Sequence, residues 1–142
     1  MEEVMKTLIT LLNFVLLIIT FAVQTALAEL SPCSYKEMQK NAPEYLNLQI
    51  LSVKTEKASE SINVEIEAKV MAVHQSKSQV KPGDVIHLHY VHNTKPLVGP
   101  RPIPILEKGK VYPAFLTKSE DQEFYEPAAM GRSFEVINKV DC

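Results

Sequence analysis

Ile62-Asn63-Val64-Glu65-Ile66-Glu67-Ala68-Lys69-Val70-Met71-Ala72-Val73 is the stretch whose reading decides the fold. Ile62, Val64, Ile66, Ala68, Val70 and Ala72 alternate with Asn63, Glu65, Glu67 and Lys69, the period-two pattern of a half-buried β-strand. Towards its end Met71 and Val73 make the second face apolar as well. Long strands whose faces change character along their length are typical of small closed barrels, where strands coil and bend.

Upstream, Tyr45 to Thr55 alternates through Leu46, Leu48 and Ile50 and then slips phase, since Leu51 and Val53 carry on at odd positions. A one-residue slip inside a strand marks a β-bulge. Glu56 to Ser61 is polar and makes the turn between these two strands. Before them Ser34-Tyr35-Lys36-Glu37 has capping-box spacing, and Pro43 ends any helix begun there. The spacing predicts one short helix from Ser34 to Asn41, leaning on the body through Cys33, Tyr35 and Met38.

Downstream, His74 to Val80 is a polar loop and Lys81-Pro82-Gly83-Asp84 a turn with Gly at the φ > 0 position. Asp84 to His92 reads as a third strand, Ile86, Leu88 and Tyr90 inward and Val85, His87, His89 and Val91 outward. Asn93 to Gly109 cannot be sheet, because Pro96, Pro100, Pro102 and Pro104 remove ladder donors. Loops this long are uncommon in compact domains and often functional. Lys110 to Thr117 is a fourth strand with Tyr112, Ala114 and Leu116 on one face and Pro113 marking it as an edge or bulged strand. Ser119 to Met130 is a connection, and Ser133 to Val140 is expected to close the sheet as a fifth strand through Phe134, Val136 and Val140. The expected fold is all-β with one short N-terminal helix: a five-stranded Greek-key barrel of the OB type.

Residues 1–28 stand apart. Leu8 to Val23 is an almost unbroken apolar run, and Ala26-Leu27-Ala28 has the small-x-small pattern read by signal peptidase. A cleaved signal peptide is the favoured reading, although Glu2 and Glu3 beside a lone Lys6 make an unusual start. An uncleaved membrane anchor is the alternative, since Thr7 to Ala28 is close to the roughly 20 residues that span a bilayer. Leu30-Ser31-Pro32-Cys33 makes a poor lipobox because Pro32 replaces a small residue. Either main reading places residues 29–142 outside the cytoplasm, secreted or periplasmic, as one domain of about 110 residues with a modest core. There the only two cysteines, Cys33 and Cys142, most simply pair. Such a bridge closes nearly the whole domain into one loop, worth roughly 4–5 kcal/mol on a chain-entropy account. The net charge is −2 with lysines scattered singly. No basic cluster exists to release phosphate counterions, which argues against nucleic acid as a partner.

The chain resembles the netrin-like, tissue-inhibitor-of-metalloproteinase-like branch of the OB fold over roughly Cys33 to Val140. The resemblance is carried by a cysteine shortly after the leader, by Val70-Met71-Ala72-Val73, by Lys81-Pro82-Gly83-Asp84-Val85, and by Gly109-Lys110-Val111-Tyr112-Pro113-Ala114-Phe115-Leu116, which looks like that family's Gly-x-x-Tyr-x-x-Phe-Leu strand. The metalloproteinase inhibitors among them chelate the protease zinc through a Cys-x-Cys at the extreme mature N-terminus. Here Cys33-Ser34-Tyr35 has one cysteine, and Glu29-Leu30-Ser31-Pro32 precedes it. An amide nitrogen at Cys33 is a poor metal ligand, so inhibition is the weakest of three readings and needs trimming up to Cys33.

Two constellations carry the others. Pro100-Arg101-Pro102-Ile103-Pro104, within an apolar and stiff segment running from Leu97 to Leu106, suits docking of a protein partner, because alternating prolines favour polyproline II and present side chains at low entropic cost. The same segment also suits a lid over one barrel end through Ile103, Ile105 and Leu106. The turn from Glu56 to Ser61 is a second contact surface. His87 and His89 share the outward face of their strand about 6–7 Å apart and could hold Zn²⁺ or Cu²⁺. His92 joins them only at a strand end and His74 only if strand ends adjoin, while no acidic partner is fixed by sequence. The run Glu120-Asp121-x-Glu123-x-x-Glu126 lacks the Gly and alternating oxygens of a calcium loop. There is no nucleophile elbow, no phosphate loop and no cysteine placed as a nucleophile. Glu65 and Glu67 share a strand face, but nothing in the sequence builds a cleft around them. The expected function is therefore a non-enzymatic binding module without cofactor, with metal binding as the runner-up.

Overall fold

The computed structural model describes residues 1–22, 29–95, 98–139 and 142, and of 14–22 the backbone alone. The Ala26-Leu27-Ala28 motif, Pro96, Leu97 and Val140 lie outside the described residues. Within the apolar leader, helix α1 spans Glu2–Ala22. Up to Leu12 its apolar side chains (Val4, Met5, Leu8, Ile9, Leu11, Leu12) are exposed, so this part packs on nothing in the fold. Among the described residues no helix is long and apolar enough to cross a membrane.

Helix α2 spans Pro32–Asn41, two residues earlier than the sequence predicts. Its cap is Ser31, whose hydroxyl accepts the Ser34 N–H at 3.2 Å, and Pro32 takes the first turn, where its missing N–H costs nothing. Ser34 thus lies inside the helix rather than capping it. Tyr35 and Gln39, on one face of α2, are buried.

The strands are β1 (Glu44–Lys57), β2 (Ser61–Ser76), β3 (Val85–Asn93), β4 (Val111–Lys118) and β5 (Tyr125–Pro127). They close in the order β1-β2-β3-β5-β4, with β1 also paired to β4. All contacts are antiparallel except β3 with β5. This is an all-β, five-stranded barrel of the OB type. Burial alternates along β1 as Glu44, Leu46, Leu48 and Ile50 turn inward. The bulge expected at Leu51 is present: Ile50 pairs with Ala68 and Ser52 with Glu67, leaving Leu51 as the extra residue. Two more register shifts fall opposite Met71 and His74 of β2. They account for the second apolar face there, since each skipped residue turns the following side chains over. Beyond Gln49 β4 no longer pairs with β1. Among the described residues the second edge of β1 therefore has no strand beside it from Ser52 to Lys57.

The fifth strand is not where the sequence suggested. It is the three-residue Tyr125–Pro127, inside the segment expected to be a connection, while residues 133–139 form no strand. Phe134 enters the core, but Val136 points to solvent and Ile137 is buried, which breaks the alternation a strand requires. These residues form a C-terminal strap instead, entered through a 3₁₀ turn at Met130–Arg132. Pro113 fits inside β4 because the Phe115 N–H, two residues on, points to Ser133 O at 2.8 Å. The donor that Pro113 lacks would face the same way, away from β1.

The core joins residues of all five strands, among them Leu48, Ile66, Ala68, Leu88, Leu116 and Tyr125, with Leu106 and Phe134 from the segments over one end. A smaller cluster of Ala42, Phe115 and Ala129, flanked by Met38 and Tyr45, seats α2 on the outside of the barrel. The Lys81–Asp84 turn forms as expected, with Gly83 at φ 93° and its N–H on Val70 O at 2.7 Å. Earlier in the same β2–β3 connection the Ser78 N–H donates to Oε1 of Glu44, a residue 1 % exposed, at 2.9 Å.

Candidate functional site: the strapped proline segment

Cys33 and Cys142 are disulfide-bonded, their Cα atoms 5.8 Å apart and 109 positions apart in sequence. Disulfides persist in oxidising compartments outside the cytoplasm. Cys33 sits in the first turn of α2, behind Ser31 and Pro32. Its backbone nitrogen belongs to the helix terminus, and its sulfur is committed to Cys142.

The segment Val98–Leu106 runs over the barrel end next to this disulfide-linked helix, and its backbone is held point by point. The hydroxyl of Tyr35, a residue 1 % exposed, accepts the Arg101 N–H at 2.6 Å. Ile103 O accepts from His92 Nδ1 at 2.7 Å and Pro104 O from the Tyr90 hydroxyl at 2.8 Å. Burial in the barrel mouth pushes the Tyr90 phenol far above its ordinary value of 10.0, so it stays a donor. Gly131 lies flat on Arg101: a Cβ there would come within 2.7 Å of the Arg101 Cβ. From the other side Gln39 Nε2 donates to Arg132 O and Glu135 O, both at 2.7 Å, pinning the C-terminal strap to α2.

Held this way, the segment covers one barrel end with some side chains and leaves others in water. Leu106 is buried and Ile103 packs on the core, as the lid reading requires. Ile105 turns outward instead, Pro100 is half-buried, and Arg101, Pro102 and Pro104 are exposed. Arg101 is already engaged within the fold: its Nε lies 3.0 Å from Glu29 Oε1 and its Nη1 3.5 Å from Glu135 Oε1. Glu135 also takes Arg132 Nε at 2.6 Å, which raises the Arg132 guanidinium further. The guanidinium of Arg132 lies 5.9 Å from the Tyr35 ring centroid. Arg101, Pro102, Pro104, Ile105, Tyr112 and Phe134 line an open groove of about 410 Å³. Outside α1, the exposed large apolar side chains among the described residues are Val98, Ile105, Met130 and Val136 on this segment or the strap and its entry turn, and Met71, Val85, Val91 and Val111 on the strands. Met130 holds φ 47°, a conformation uncommon for a non-glycine residue.

The second expected contact surface, the turn from Glu56 to Ser61, is polar and exposed, closed by Ala58 N–H to Ser61 O at 2.9 Å. Glu60 is ion-paired with Lys95 at the start of the proline loop. His87 and His89 project outward from β3 as expected, whereas His92 turns to Ile103 and His74 stacks on Tyr45 at 4.3 Å. The four histidines therefore do not gather. Phe124 stacks on His89 and Tyr125 packs inside, its hydroxyl 2.8 Å from Ser78 Oγ. Sequence reasoning missed Tyr35, Gln39 and Gly131 as the residues that hold the site. The legible signal was a tyrosine and a glutamine four apart in a short amphipathic helix, which marks a buried face.

Compared with known proteins, the chain matches no family model, no curated protein and no solved structure.

Proposed function

We propose that this chain is an extracytoplasmic, non-enzymatic binding module, secreted or periplasmic after removal of its leader. It recognises a protein partner through Val98–Leu106 and the adjoining strap. The observation that carries the reading is the combination of a fixed backbone with outward apolar side chains. Hydrogen bonds at Arg101, Ile103 and Pro104 reduce the ordering cost that a loop normally meets on binding, while Ile105 lines a groove and Val98, Met130 and Val136 also stay in water. Apolar side chains left exposed in one region mark interaction surfaces. The resemblance to the netrin-like branch fits such a role and rests on the residues that carry it.

The test is photo-crosslinking from an unnatural residue at Ile105, with Lys40 on the exposed face of α2 as control, in the extracellular medium of the source organism. A discrete adduct from position 105, absent from position 40 and lost in Met130→Ser/Val136→Ser, supports the reading. Equal labelling at both positions, or an adduct indifferent to the double substitution, overturns it.

A further inference from the structure

Two neighbouring strands, β2 and β3, bring four ligand-type side chains onto one outer face of the barrel. The β2–β3 register sets Glu65 opposite His89 and Glu67 opposite His87, while β1 places Lys54 beside Glu65 and Ser52 beside Glu67. The intervening Ile66 and Leu88 are buried, so the four project outward together. Residues directly opposite have Cβ atoms about 4.5–5.5 Å apart, and same-face neighbours along a strand are about 6–7 Å apart. The four Cβ atoms thus mark a rectangle above whose centre imidazole and carboxylate tips can meet. A depression of about 100 Å³ lies among them, lined by Ser52, Lys54, Glu65, Glu67, His87 and His89. Among the described residues the ion pairs all lie elsewhere, so neither carboxylate is committed.

We propose that Glu65, Glu67, His87 and His89 form a site for a borderline divalent transition metal, Zn²⁺ or Cu²⁺. Two imidazoles and two carboxylates supply nitrogen and oxygen donors suited to these ions. In their present rotamers no three such side chains among the described residues stand close enough to share an ion. The cause at His89 is its ring, stacked on Phe124 with centroids 4.3 Å apart and planes 15° apart. Loading the site swings the His89 imidazole off Phe124 and over the depression. Phe124 is thus a competitor for His89, while Lys54, opposite Glu65 in the register, opposes a cation there through its own positive charge.

The experiment is calorimetric titration of the disulfide-bonded protein with Zn²⁺ alone and then with Cu²⁺ alone. One equivalent of one of these ions should bind. Losing a ligand should cost at least as much as losing a supporting partner, about 10–100-fold. His87→Ala/His89→Ala and Glu65→Gln/Glu67→Gln should each show that loss, and Phe124→Ala and Lys54→Ala should bind more tightly than wild type. Nitrogen-detected histidine spectra of the unaltered protein provide a reading that needs no variant: metal should move His87 and His89 and leave His74 and His92 in place. No binding of either ion, full affinity in the Glu65→Gln/Glu67→Gln protein, or shifts at His74 or His92 instead would overturn the proposal.

Discussion

Replacing both cysteines, Cys33→Ser/Cys142→Ser, should remove a large part of the folding free energy while leaving the folded structure in place. The bridge spans 109 positions. With that loop length the chain-entropy relation gives about 4.8 kcal/mol at 25 °C. Domains of this size have only about 5–15 kcal/mol in total. The folded state should survive because both bridged segments have other attachments: Tyr35 to Arg101, Gln39 to the strap, and Phe134 in the core. The effect therefore acts mainly on the unfolded chain, which expands once the link is gone. Urea unfolding followed by far-ultraviolet circular dichroism is the appropriate assay, since the chain has no tryptophan. The midpoint should fall by about 2–4 M urea, and the slope should rise as more surface is exposed on unfolding. A loss below about 2 kcal/mol with an unchanged slope would refute the reasoning. It would mean that the unfolded chain keeps its ends together without the bond.

Other substitutions test the straps. Tyr35→Phe leaves the Arg101 N–H without its acceptor and should cost about 1–3 kcal/mol, with hydrogen exchange accelerated at Arg101 and far less within β1. Gly131→Ala forces a methyl against Arg101; overpacking of this kind costs about 1–3 kcal/mol, and thermal melting should show it alongside loosened exchange from Val98 to Leu106. Tyr90 predicts an alkaline weakness. Its phenol is raised in the folded state, so the unfolded chain releases this proton first, and the associated stability is complete below pH 10 and falls above it. The slope should be about 1.4 kcal/mol per pH unit, measured by urea unfolding between pH 9.5 and 11.5 and absent in Tyr90→Phe.

How much of this was legible follows from the range of the interactions involved. The first four strands show in the alternation around Leu46, Val64, Ile86 and Ala114, and the bulge at Leu51 shows as a phase slip, because both are written within one strand. The pairing of Cys33 with Cys142 was readable because only two cysteines exist. β5 was not legible: three residues are too few to alternate visibly, and Tyr125 owes its place to pairing with Leu88 and Lys118. Phe134 and Val136 imitate a strand, yet only Phe134 faces the core. The start of α2 was misplaced because Ser34 and Glu37 offered a capping box while Ser31-Pro32 was already a stronger start. At the site, the proline segment announces itself, but its partners Tyr35, Gln39 and Gly131 lie 30 to 66 positions away along the chain, beyond the reach of any local pattern. The opposition of Glu65 to His89 likewise needs the β2–β3 register, which no single strand encodes.

The strandless edge of β1 from Ser52 to Lys57 bears on how the protein behaves in a crowd. An unpaired strand edge is a template on which another chain can add itself. Here it carries Lys54 and Lys57, both exposed. Lysines on an edge discourage such addition, while Glu56 between them gives a second copy an opposite charge in some registers. Lysine acetylation or a neutral replacement at this edge would remove part of that protection and make strand-to-strand addition easier.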